Sequence, residues 1–190
     1  MVNDSLVLLA LVLVAIAAWV ILSYNRFVSQ RTSIDASWAG IDVELQRRHD
    51  LVPNLVESVQ GYASHERELL EAVTEARTRA RRASEPDVDT TEQARAEDEL
   101  TDGITRLFAL AESYPQLKAD RVFADLQRQL IETEDRIAAS RRLYNLEVAA
   151  YERRRSSIPS NLIAWVFELP PRSLFEIRDP AAAHRPLAAF

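Results

Sequence analysis
The residues best able to do chemistry in this chain are scattered histidines and carboxylates, and their spacing is informative mainly for what it lacks. His65-Glu66-Arg67-Glu68-Leu69 begins like the helix of a zinc peptidase, which needs two histidines four apart on one face. Position 69 is leucine, so the second ligand is missing. No glutamate stands three residues before a histidine, which removes the carboxylate-bundle pattern for two metal ions. Asp87-x-Asp89 has the opening spacing of a calcium loop but lacks the glycine and the closing glutamate, and reads as a solvated linker. With no cysteine anywhere, disulfides and thiolate chemistry are excluded together. No nucleophile elbow, phosphate loop or dinucleotide fingerprint occurs. His49, Asp50 and Glu112 retain acid–base capacity, which needs no linear motif. The structural reading of the polar set Asp50, Asn54, Glu112, Glu134, Arg141 and Asn145 is different: each sits beside an apolar stripe, where a hydrogen-bond partner fixes the register of packed helices. No catalytic residue, cofactor or metal site is therefore expected.

The elements that would position these groups are helical. Three glycines in 190 residues, amid abundant Ala, Leu, Glu and Arg, argue for an all-α chain. A net charge of −6, and no basic face interleaved with aromatics, disfavour nucleic acid as a partner. The organising stretch is residues 6–22, LVLLALVLVAIAAWVIL, seventeen residues without a charge. At about 1.5 Å per residue it reaches about 26 Å, and Ser5, Ser23 and Tyr24 complete a span of the roughly 30 Å hydrocarbon layer. Twelve of the seventeen are Leu, Ile or Val, worth roughly 5 kcal/mol of insertion free energy before backbone terms. A cleaved leader would need a basic region first, and residues 1–5 offer only Asp4. Residues 5–24 are thus expected to be a retained anchor, with Leu6, Leu9, Leu13, Ile16, Val20 and Leu22 facing lipid. Arg26 and Arg31 follow the span and no basic residue precedes it, which predicts the N-terminus outside and the remainder in the cytoplasm.

Beyond the anchor, apolar residues recur at steps of three and four: Ile34, Trp38, Ile41, Leu45, Val52, Leu55, Val59, Tyr62, Leu69, Val73, Ala76 and Ala80, with Arg48 and Glu66 filling two places. Such a seam marks a helix packed along its length. It keeps phase across Pro53, so one long helix kinked at that proline is expected through residue 82. SEPDVDTT, at 84–91, is the clearest loop, with Thr90 or Thr91 as the next cap. A second helix runs to Ser113, Tyr114-Pro115 turns the chain, and a third carries Phe123, Leu126, Leu130, Thr133, Ile137, Tyr144, Val148 and Tyr151 until Pro159. The expected organisation is an antiparallel bundle of three to four long helices over residues 25–167 and an irregular tail over 168–190. After Pro159 an apolar cluster, Leu162 to Leu169, either folds onto the bundle or is a docking segment for a partner or a membrane surface, and residues 180–190 read as disordered.

These lengths leave the second helix, about 35 Å, unable to cover a first helix of about 80 Å. The seam Ile34, Trp38, Ile41 and Leu45 is therefore expected to lack a full intramolecular partner and to pack against neighbouring copies, making the protein a homo-oligomer.

The motifs resemble the LemA family. Tyr24-Asn25-x-Phe27-Val28, Trp38-x-x-Ile41-Asp42-Val43-x-Leu45, Arg48-x-Asp50-Leu51-Val52-Pro53-Asn54-Leu55-Val56 and Gly61-Tyr62-Ala63-x-His65-Glu66 stand in order. Ala76-Arg77, Ala111-Glu112-x-Tyr114-Pro115-x-Leu117-Lys118, Leu126-Gln127-x-x-Leu130, Thr133-Glu134-x-x-Ile137 and Arg141-x-x-Tyr144-Asn145 follow. The resemblance covers residues 24–159 and implies one N-terminal membrane helix, N-outside, carrying a cytoplasmic helical bundle. It implies links to membrane organisation, or to a neighbouring membrane metallopeptidase. The chain departs from the pattern where Glu152 follows Tyr151, where Ile158 precedes Pro159, and where Phe167-Glu168 replaces a Gly-Phe pair. The expected function is a membrane-anchored, non-enzymatic scaffold that self-associates and organises membrane or partner proteins. An accessory factor of a membrane protease or envelope-stress system is the alternative.

Overall fold
The computed structural model describes residues 2–85 and 89–176. These residues form six helices and no strand: α1 (Val2–Gln60), α2 (Arg67–Ala83), α3 (Thr90–Ala111), α4 (Pro115–Lys118), α5 (Arg121–Ser156) and α6 (Ser160–Val166). The all-α expectation holds. Asp87, and the tail residues 180–190 expected to be disordered, lie outside the described residues.

α1 carries the apolar run and the proximal seam in one helix of 59 residues, about 88 Å long. Its first third is long and apolar enough to cross a membrane, and none of that apolar window is buried in the protein. Leu6, Leu9, Leu13, Ile16 and Leu22 are all exposed, whereas Val20 packs partly against the bundle.

Pro53 lies inside α1 and does not break it. The break comes instead at residues 61–66, which corrects the expectation of one helix through residue 82. There Tyr62 and Ala63 both donate backbone hydrogen bonds to the Val59 carbonyl, at 3.0 and 2.8 Å, and Glu66 donates to Ala63 at 3.1 Å. The seam misled because both arms of the hairpin face one core. Its register does slip at the turn. Ala63 and Leu70 are buried, while Tyr62, expected inward, is 45 % exposed.

α2 packs on the distal part of α1, α3 packs on α2, and α5 lies beside α1 from the distal bundle back to Phe27. The distal half is thus a four-helix bundle, centred on Val52, Leu55, Val59, Val73, Leu100, Leu107, Leu117 and Leu130. Asp89, rather than either threonine, caps α3 by accepting the Thr91 amide at 3.2 Å. Asp120 caps α5 through the amides of Val122 and Phe123. Gly103 allows α3 to approach α2: a Cβ there would stand 3.1 Å from Val73 Cγ2.

The proximal half is built differently. α5 is 36 residues long and reaches back to the level of Phe27, where Tyr151 meets that ring edge-on at 5.9 Å. Ile34, Ile41 and Leu45 are fully covered, by Ile137, Tyr144, Val148, Leu169 and Phe175 among others. Trp38 packs on Tyr144 and Phe175 at ring separations of 5.2 and 5.0 Å. The expected exposed seam is therefore corrected: α5 and the tail cover it, because α5, not the shorter α3, is the helix that runs beside α1.

Candidate functional site: a buried charged layer between two cores
Arg48 stands in the seam where the repeat calls for an apolar side chain, and burial there forces it to find anions. Removing a guanidinium from water costs several kcal/mol unless charge and hydrogen bonds replace the solvent. Arg48 is fully buried. Its Nη2 donates to Glu97 on α3, and its Nη1 donates to Glu134 on α5 and to Thr101 Oγ1 at 2.9 Å. His49 Nε2 lies 2.9 Å from the other Glu97 oxygen. The Thr101 hydroxyl also donates to the Glu97 carbonyl at 3.0 Å. Three helices are thereby joined through one cation.

The layer separates the two cores. On α1, Leu45 belongs to the proximal cluster and Val52 to the distal one, with Arg48 between. Ala94 and Leu100 flank Glu97 on α3 in the same way, and Leu130 and Ile137 flank Glu134 on α5. A helix slipped by one turn would place a charge in an apolar layer, so the cluster fixes register.

Its electrostatics fit that role. Burial pushes the Glu97 carboxyl up, but the hydrogen bond from His49 and the charge of Arg48 outweigh it and hold the group below the usual glutamate range. Burial alone would lower Arg48, yet Glu134 and Glu97 carry it above the ordinary arginine value. Both members are therefore held ionised.

Pro53 lies one turn beyond the layer. Having no N–H, it leaves the His49 carbonyl without its helical donor. Arg77 on α2 supplies one: its Nε donates to His49 O at 2.6 Å. The proline is tolerated inside α1 because a second helix completes its hydrogen bonding.

The other polar candidates divide. Glu134 enters the layer. Asn145 clamps the tail, its amide donating to the Phe175 carbonyl at 3.1 Å and its oxygen accepting the Phe175 amide at 2.9 Å. Tyr144 and Tyr151 donate to the carbonyls of Ser173 and Pro170. Asp50 and Asn54 are exposed, contrary to expectation, Asp50 accepting the Gln46 amide. Glu112 is also exposed and pairs with Lys118, and Arg141 is half-buried on α5. His65-Glu66 lies in the turn ahead of α2, not on a helix face. Among the described residues no group of three His, Asp or Glu side chains is placed to hold a metal ion.

Glu97 was missed by sequence reasoning, although a signal was present: Ala94, Glu97, Leu100 and Ile104 share one stripe. A carboxylate in the stripe of one helix answers an arginine in the stripe of another. A surface cleft of about 310 Å³ opens beside Trp38, between α1, Ser84, Thr90 and Arg172. Asp35, Asp42 and Glu85 give it an acidic lining, with Arg172 paired to Asp35 at 3.1 Å.

An unbroken helix leading from an apolar run into an antiparallel bundle, locked by a buried ionic layer, defines a helical protein with a candidate N-terminal membrane span. The LemA family pattern matches residues 37–190, and the chain belongs to that family. It is 26 % identical over 187 residues to magnetosome protein MamQ 2 of Paramagnetospirillum magneticum, covering 87 % of this chain and 69 % of that protein. It is 24 % identical over 176 residues to magnetosome protein MamQ of Magnetospirillum gryphiswaldense, covering 81 % and 65 %. Against protein LemA of Metamycoplasma hominis the identity is 23 % over 155 residues, covering 82 % and 69 %.

Proposed function
We propose that this protein is a membrane-anchored, non-enzymatic scaffold whose bundle is held at a fixed stance from the bilayer and organises membrane or partner proteins. The observation that carries this reading is the continuity of α1, which has no joint between its apolar first third and the bundle core. A flexible tether would let the bundle diffuse around its anchor; a continuous helix does not. Arg26 and Arg31 after the apolar run favour the N-terminus outside and the bundle in the cytoplasm. Two of the relatives are named as magnetosome proteins, and their names point to an assembly rather than to a reaction. The charged layer supports a scaffold over an enzyme, since Arg48, His49 and Glu97 are closed off from solvent and committed to one another.

Self-association through Ile34, Trp38, Ile41 and Leu45 would require α5 to leave α1. In this reading, contacts between copies use the outer faces, where Val43, Leu143 and Leu146 are exposed. Crosslinking in native membranes, with each band identified by mass, tests the proposal. A ladder of self-adducts supports a self-associating scaffold. A single heterologous band would instead favour the accessory role beside a membrane protease.

A further inference from the structure
The two most exposed large apolar residues among those described lie in or beside α6. Ile158 is 85 % and Trp165 79 % exposed, and Leu162, Val166 and Phe167 are exposed beside them. α6 turns its opposite side, Ile163 and Ala164, into the proximal core. Its height along α1 is marked by the aromatic contact of its C-cap and by the cluster it joins. The Phe167 ring lies 4.7 Å from that of Tyr24, and Val20, inside the apolar run, packs against the cluster containing Ile163 and Ala164. Whatever plane Tyr24 occupies, the C-terminal end of α6 lies close to it.

We propose that α6 and its flanks, Ile158 to Phe167, form a foot that seats in the headgroup and upper acyl region of the bilayer, giving the bundle a second lipid contact beside its span. This rests on the reading of α1 as a membrane span. Four observations favour lipid as the occupant. The patch is continuous with the apolar run of α1. It mixes Trp, Tyr and Phe with aliphatic side chains, the composition of membrane interfaces. Arg154 lies over the ring of Phe27 at 5.8 Å, in the cluster that takes Ile163 and Ala164, and its buried Nε has no hydrogen-bond partner among the described residues. Burial and the neighbouring charge of Arg26 hold the Arg154 guanidinium below its usual value, a setting that a lipid phosphate would relieve. A span with one contact is free to tilt and rotate, whereas a span with a foot beside it is not.

Because the chain has no cysteine, single nitroxide labels can be placed in the full protein without background. The test uses Trp165→Cys and Leu162→Cys at the foot, Leu13→Cys in the span and Leu146→Cys on the outer face of α5. Each labelled protein is reconstituted into phosphatidylcholine–phosphatidylglycerol vesicles, and accessibility to oxygen and to a neutral nickel chelate is compared. The expected result is an oxygen-to-nickel ratio at positions 162 and 165 several-fold above that at 146 and approaching that at 13. Water-like values at 162 and 165, with a lipid-like value at 13, would overturn the foot while leaving the anchor standing. Protection of 162 and 165 from both reagents would also overturn it, in favour of a protein contact. A water-like value at 13 would remove the anchor, and the foot with it.

Discussion
Arg77 Nε donates to the carbonyl oxygen of His49 at 2.6 Å, the carbonyl that Pro53 leaves without a helical donor. The pairing makes Pro53 and Arg77 one unit although they lie on different helices. Arg77→Met should cost about 1–2 kcal/mol, the cost of an unsatisfied part-buried carbonyl. In a Pro53→Ala background the restored backbone amide at position 53 takes over, and the same substitution should cost little. A double-mutant cycle by denaturant unfolding reads the coupling, expected near about 1 kcal/mol. Additive effects would show that Arg77 acts elsewhere.

The charged layer should dominate the stability map. Arg48→Met leaves Glu97 buried beside only His49, and breaking a buried pair typically costs about 3–5 kcal/mol. Arg48→Met combined with Glu97→Leu and Glu134→Gln should recover much of that loss, because no uncompensated buried charge remains. Thermal melts of the single and triple variants separate the two outcomes. Equal destabilisation would mean that the layer matters by packing rather than by charge.

Acid should dissolve the same layer. The folded Glu97 carboxyl lies below its unfolded value, so its contribution is complete above the ordinary glutamate pKa of about 4.3 and is lost as pH falls through the depressed folded value. The stability gap between the native chain and Glu97→Gln should therefore be widest near neutrality and shrink below about pH 4. A gap constant with pH would contradict an ionised Glu97.

Two glycines should respond in opposite ways. Around Gly40 nothing lies within 4 Å of an added Cβ, whereas at Gly103 the methyl meets Val73 at 3.1 Å. Gly40→Ala should stabilise α1 by up to about 1 kcal/mol through helix propensity. Gly103→Leu should destabilise by about 1–3 kcal/mol by forcing α3 from α2. Denaturant midpoints measure both.

These contrasts show what the chain made legible. Residues 6–22 and the three-four stripes announced the helices, and Pro115 and Pro159 marked ends because the stripes stopped there. The turn at 61–66 was hidden because Val59 and Leu70 face one core from two antiparallel helices, so a continuous pattern does not require a continuous rod. Trp38 and Ile41 looked unpartnered because the second helix, judged by length alone, covers only part of the first. Their cover comes from α5 and from Leu169 and Phe175, held by side-chain bonds to backbone that leave no periodic trace. Arg48 was visible as a charge in the seam; Glu97, its answer, needed the two helices to be aligned first.

Alkaline extraction of membranes from cells expressing the full chain addresses the tether itself. The protein should stay with the lipid pellet, and Leu13→Arg with Ile16→Arg should release it, because each arginine at mid-span costs roughly 2.5–3.5 kcal/mol. Recovery of the native chain in the aqueous fraction, folded and unprocessed, would contradict a bundle carried on a membrane-spanning α1.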